Sequence, residues 1–90
     1  MSEDLKARFE QASQEVTQLS EAPDMGTKLR LYTLFKQGTV GDCTGKRPGI
    51  TDFAGRAKFD AWQALQGTSQ DDAMQQYIDL VEELKAADKQ

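Results

Sequence analysis

The chain contains no histidine. The commonest general base and metal ligand is therefore missing, and no metal site is expected. A single cysteine, Cys43, cannot close an internal disulfide. It lies in a polar, glycine-rich segment with no histidine to activate it, so a thiol nucleophile is excluded in practice. No apolar run is long enough to cross a bilayer. No stretch alternates β-branched and polar residues, so no strand is expected. The opening residues, MSEDLKAR, are acidic and polar and have no apolar h-region. Together with the lone thiol they point to a reducing, cytoplasmic setting. Net charge is −4 and the isoelectric point is near 4.7, which argues against nucleic acid as a partner.

What is present is ordinary in amount. Apolar residues make up 38% and charged residues 29% of the 90 positions. These values fit one globular domain over residues 1–90. The apolar positions recur at helical spacing in four stretches. Leu5, Phe9, Ala12, Val16 and Leu19 form one face of a first helix, with Ser2 as its N-cap and Glu3 and Asp4 in its first turn. Ser20 to Pro23 breaks it. A second helix follows Asp24 and runs to about Thr39, with Leu31 and Leu34 as its apolar side. Residues 38–49 hold four glycines and Pro48 and read as a long loop, either functional or tightly folded on itself. A third helix spans about 52–66, with Phe53, Ala57, Ala61, Trp62 and Leu65 as its inner face and Gly67 as its stop. A fourth opens at Ser69, which with Asp72 resembles a capping box, and carries Met74, Tyr77, Ile78, Val81 and Leu84. The polar tail from Lys85 to Gln90 is expected to fray. The fold class is all-α: a four-helix bundle with a long loop between helices two and three.

One stretch stands apart in charge. Between Lys28 and Lys58 lie seven basic residues and only two acids, Asp42 and Asp52. A positive field inside an acidic chain suits a small anionic ligand. Within it, Lys28, Tyr32, Phe35 and Lys36 fall within about one quadrant of the second helix. Lys58 and Trp62 repeat the four-residue spacing on the third. A lone lysine is usually a solvated surface charge, and a ring at helical spacing usually packs in a core. A stripe that mixes two lysines with rings fits neither habit. It fits a phosphate attached to a flat base: lysine supplies the point charge, tyrosine a hydroxyl donor and a stacking face. Carboxylate pairs such as Asp71–Asp72 and Glu82–Glu83 read as helix cap and solvated face rather than acid–base dyads.

The residues around these groups resemble the acyl-CoA-binding protein family over nearly the whole chain. The match rests on the identity and spacing of Tyr32, Lys36-Gln37, Val40-Gly41-Asp42, Arg47-Pro48-Gly49, Asp52-Phe53, Ala57-Lys58, Asp60-Ala61-Trp62, Gly67 and Tyr77. The resemblance implies an up-down-down-up bundle that binds thioesters of medium- or long-chain fatty acids with coenzyme A. It implies that Tyr32, Lys36 and Lys58 meet the 3′-phosphate of the adenosine moiety. Phe35 and Tyr77 would surround nucleotide and acyl chain, and Thr33 and Leu34 would belong to the same ligand-facing segment. It implies no cofactor beyond the acyl-CoA ligand. The implied partners are acyl-CoA esters, with transient contact with membranes or acyl-CoA-using enzymes but no stable insertion, and the implied state is a monomer. Four positions depart from the family pattern. Phe35 stands where many members have tyrosine and Phe59 where a second tryptophan is common. Thr17 and Ala54 stand where many have lysines near the ligand, which implies weaker salt-dependent affinity.

The leading expectation is thus a non-enzymatic binder, buffer and carrier of acyl-CoA. The alternative is a helical protein-interaction module without a small-molecule ligand. The set of Tyr32, Lys36 and Lys58 separates them, because a module without a ligand has no reason to pair those groups.

Overall fold

A computed structural model describes residues 2–88, apart from the side chain of Ser2. The cap expected of Ser2 and the last two residues of the tail therefore lie outside the described part. Four α-helices follow in order: α1 (Ser2–Glu15), α2 (Met25–Thr39), α3 (Phe53–Gln63) and α4 (Gln70–Asp88). A 3-10 turn, Val16–Gln18, extends α1. There is no strand among the described residues.

Helix starts follow local chemistry. Asp24 accepts a hydrogen bond from the Thr27 N–H at 2.7 Å and caps α2. Asp52 does the same for α3 through the Gly55 N–H at 3.0 Å. Here the Asp52 carboxylate sits where a Cβ at residue 55 would be, so a side chain at that position would make it shift. Ser69 accepts from the Asp72 N–H at 3.0 Å, which is half of the expected capping box. The third helix ends three residues earlier than its spacing suggests. Residues 64–67 form turns instead, and Gly67 closes them at φ +93°, a conformation that L side chains rarely adopt.

Side-chain contacts give the directions. Phe9 meets Tyr77 (5.0 Å between centroids) and Glu15 meets Lys85 (3.0 Å), so α1 and α4 run parallel. Gln70, at the start of α4, donates to the Gly38 and Thr39 carbonyls at the end of α2, so those two are antiparallel. Lys58 stands over Tyr32 and Lys36 over Trp62, so α2 and α3 are parallel. The topology is up-down-down-up. The core is formed by Phe9 and Ala12 from α1, Leu31 and Leu34 from α2, and Tyr77, Ile78 and Val81 from α4. α4 packs on both α1 and α2, whereas α3 packs on α2 alone.

Two expectations are corrected here. Phe53 and Ala57 do not face inward: both are exposed, and α3 buries no residue at all. The reason is that α3 has one helical neighbour, so most of its surface has nothing to pack on. The end of α4 does not fray through Asp88 either. Lys85 bridges Glu15 and Glu82, and Asp88 accepts from the Ser20 N–H and hydroxyl. Those contacts supply the helix end with tertiary partners.

The long loop is folded on itself. Gly41 accepts from the Trp62 indole N–H at 2.9 Å. Arg47 holds Asp60 with two parallel bonds of 3.0 and 2.8 Å. Arg56 donates to the Pro48 and Gly49 carbonyls. Asp42 accepts from the Gln37 amide and the Gly67 N–H, both at 2.9 Å. Those donors, the Gly67 N–H first, hold the Asp42 carboxyl below its usual range. Gln37 is fully buried and also donates to the Thr68 carbonyl at 2.7 Å. One side chain thus ties α2 to the loop and to the start of α4.

Candidate ligand-binding site

The seven residues implied as a site do not form one surface. Tyr32, Lys36 and Lys58 come together on the face of α2 that meets α3. The Lys58 ammonium lies 5.1 Å from the centroid of the Tyr32 ring, and the Lys36 ammonium lies 5.2 Å from that of Trp62. Each lysine therefore rests on a ring from the opposite helix. The four-residue spacing of Lys58 and Trp62 suggests a pair within α3, but the observed partners cross between helices. Such cation–π contacts are worth about 0.5–1 kcal/mol where exposed. A charge-assisted hydrogen bond to an anion is worth about 1.5–3 kcal/mol. An arriving phosphate can therefore outbid the ring for its lysine.

Beside these groups a groove of about 710 Å³ opens between α2 and α3. Met25, Leu29, Ala54 and Ala57 give it apolar walls, and Lys28, Lys58 and Tyr32 give it polar ones. Position 54, where lysine is common in the family pattern, here contributes a small apolar wall. Two of the other three departures, Phe59 and Thr17, lie outside this groove: Phe59 is half-buried, and the Thr17 hydroxyl is spent on the Gln14 carbonyl.

Phe35 leaves the lysine stripe and turns toward α1 and α4. It stacks on Phe9 (5.4 Å, 25°) and lies 6.0 Å from Tyr77, which meets Phe9 edge to face. Burial pushes the Tyr77 phenol above its ordinary value. A second hollow of about 450 Å³ adjoins the rings, lined by Phe9, Ser13, Phe35, Gly38 and Met74 among others. Thr33 and Leu34 are buried, at 5% and 1% exposure. Thr33 spends its hydroxyl on the Arg30 carbonyl; neither residue lines the larger groove, but both line a smaller hollow of about 300 Å³ that shares Leu29 with it and reaches Ala61 and Leu65. Sequence reasoning did not single out Met25 and Leu29, which line the groove, or Phe9, which lines the second hollow. Phe9 carries a signal, a ring on the core face of α1, but nothing in its spacing says that it meets Phe35.

A compact helical module with an apolar groove and cations at its edge defines the class: a small binding protein for an anionic amphiphile. Comparison with known proteins makes this specific. The family model described as acyl CoA binding protein matches residues 6–81. Acyl-CoA-binding protein homolog 1 of Caenorhabditis elegans is 47% identical over 78 residues, which cover 87% of this chain and 91% of that protein. Enoyl-CoA delta isomerase 2 of Rattus norvegicus is 46% identical over 79 residues, covering 88% of this chain but only 20% of the rat protein. Among solved structures, acyl-CoA-binding protein 2 of Oryza sativa superposes with a TM-score of 0.89 at 39% identity, covering 94% of both chains. The chain belongs to the acyl-CoA-binding protein family.

Proposed function

We propose that this chain is a single acyl-CoA-binding domain that binds, buffers and carries medium- to long-chain fatty acyl-CoA esters without chemical conversion. The observation that carries the proposal is the pair of lysines, Lys36 and Lys58, resting on Trp62 and Tyr32 beside an apolar groove. A fatty acyl-CoA has the matching form: a multiply charged head and a long apolar tail. In this reading Lys36, Lys58 and the Tyr32 hydroxyl hold the 3′-phosphate. Phe35, the one exposed ring of its cluster, offers a face to nucleotide or acyl chain, and the buried rings of Tyr77 and Phe9 pack behind it. Thr33 and Leu34 act from behind, as the packed support of the ligand-facing segment. The tail lies in the groove, where each buried methylene contributes about 0.8 kcal/mol. The carrier works as a cytoplasmic monomer and meets membranes or acyl-CoA-using enzymes transiently. No described helix is long and apolar enough to cross a membrane.

Calorimetric titration with palmitoyl-CoA, with coenzyme A and palmitate as controls, tests the proposal. Saturable one-to-one binding of the thioester, far tighter than of either part, is expected. No heat at micromolar protein would overturn it in favour of a helical interaction module.

A further inference from the structure

The groove and the smaller hollow of about 300 Å³ are neighbours on α2. Met25, Lys28, Leu29 and Tyr32 line the groove, and Gly26, Leu29, Arg30 and Thr33 line the hollow. These are adjacent stripes of one helix, about 100° apart. Leu34, Ala61, Ala64 and Leu65 give the hollow its apolar walls, and Gln76 of α4 adds a polar one. The Thr33 hydroxyl is already engaged with the Arg30 carbonyl.

Little divides the two spaces. Gly26 and Leu29 line both. Gly26 has no side chain, and even a Cβ there would touch only the Asp24 carboxylate, at 3.7 Å. Leu29 is half-buried and lies outside the core cluster, so its side chain can change rotamer without opening the core. The opposite wall is α3, which packs on α2 alone and buries no residue. The groove is also short. Its α2 wall runs from Met25 to Tyr32, about 10 Å of helix. An extended carbon chain advances about 1.2 Å per bond, as an extended backbone does, so the chain of palmitoyl-CoA is about 18 Å long. With the head group at Lys36, Tyr32 and Lys58, the far end of such a chain outruns the groove. It can pass Met25, which is 86% exposed, into water. Or it can turn past Leu29 and stay buried, which the cost of wetting apolar surface favours.

We propose that the hollow receives the far end of a long acyl chain, with Leu29 as the door between it and the groove, and that this second space makes the protein selective for long over medium acyl groups. The proposal deepens the acyl-CoA reading and rests on it. A medium chain ends within the groove and never meets Ala64 or Gln76. A long chain does, and gains from each methylene that leaves water there.

The test is calorimetric titration of the full chain with decanoyl-CoA and with palmitoyl-CoA, the latter below the concentration at which it forms micelles. Ala64→Phe and Gln76→Phe each put a ring into the hollow, one from the end of α3 and one from α4. Both positions are exposed, and neither lines the groove. The wild type should bind palmitoyl-CoA at least about a hundredfold more tightly than decanoyl-CoA, since each methylene that leaves water contributes up to about fourfold. Each variant should lose at least about tenfold in palmitoyl-CoA affinity and match the wild type with decanoyl-CoA. Where one variant does not fold, the other, on a different helix, decides. Palmitoyl-CoA affinity unchanged in the variants, or an equal loss for both thioesters, overturns the hollow and leaves the acyl-CoA reading standing. A wild type that binds neither thioester sinks that reading and the hollow with it.

Discussion

Helix α2 has two flanks, and they are built differently. Toward α4 it presents Leu31, Leu34 and Gln37, at 8%, 1% and 0% exposure, against Tyr77, Ile78 and Val81. Toward α3 it presents Lys28, Tyr32 and Lys36, half-buried or exposed, to a helix that buries nothing. A fully buried Leu contributes about 1.5–3 kcal/mol, whereas an exposed cation–π pair contributes about 0.5–1 kcal/mol. The first flank holds the fold together. The second is held by weak, exchangeable contacts, together with the Trp62–Gly41 hydrogen bond and the Arg47–Asp60 pair. A ligand between α2 and α3 therefore displaces little that the fold needs.

The sharpest way to break this contrast is to cut each flank. Leu34→Ala should destabilise by about 2–5 kcal/mol, because it leaves a cavity in a packed core. Lys58→Ala should cost about 1 kcal/mol or less. Denaturant unfolding measures both, and a reversed order would remove the distinction between the flanks. Lys36→Ala is next: it should weaken palmitoyl-CoA binding about ten- to a hundred-fold, with little effect on palmitate and, like Lys58→Ala, a loss of stability of about 1 kcal/mol or less. Equal loss for both ligands would take Lys36 away from the head group. Tyr32→Phe should cost less than about tenfold in the same titration, since it removes a neutral donor and keeps the ring under Lys58. If it proved worse than Lys36→Ala, the ranking of charge over hydroxyl would be wrong.

The smallest effect belongs to the α1–α4 side. The Lys85 ammonium holds the Glu15 carboxyl below its ordinary value, against the opposing effect of its own desolvation. A depressed carboxyl contributes stability above the ordinary carboxylate range and loses it as the pH falls through its folded value. Glu15→Gln should therefore soften the acid limb of the stability–pH curve and leave palmitoyl-CoA affinity at neutral pH unchanged. An acid limb identical to the wild type would show that this partly exposed pair contributes nothing measurable.

Much of the core flank is legible in the sequence, because period and caps are local signals. Phe9, Ala12, Tyr77, Ile78 and Val81 follow helical spacing, and Asp24 and Ser69 mark starts that the structure keeps. The groove flank is less legible for a physical reason. Periodicity identifies apolar residues but not whether a neighbour covers them, so Phe53 and Ala57 read as core although nothing packs on them. The loop gives no periodic signal at all. Its order comes from pairs far apart in sequence, Trp62 with Gly41 and Asp42 with Gln37 and Gly67. The cross-helix partners of the two lysines are hidden for the same reason, since spacing along one helix cannot name a ring on another.

The chain has a single tryptophan, and Trp62 stands where the two helices of the groove meet. Its indole N–H is fixed to the Gly41 carbonyl and its ring carries the Lys36 ammonium. Indole emission responds to a nearby charge and to the polarity around the ring. A lysine leaving the ring, or an apolar chain entering beside it, alters both. A ligand that draws the Lys36 ammonium off the ring should therefore change the emission of the unlabelled protein, which a titration with palmitoyl-CoA reads directly.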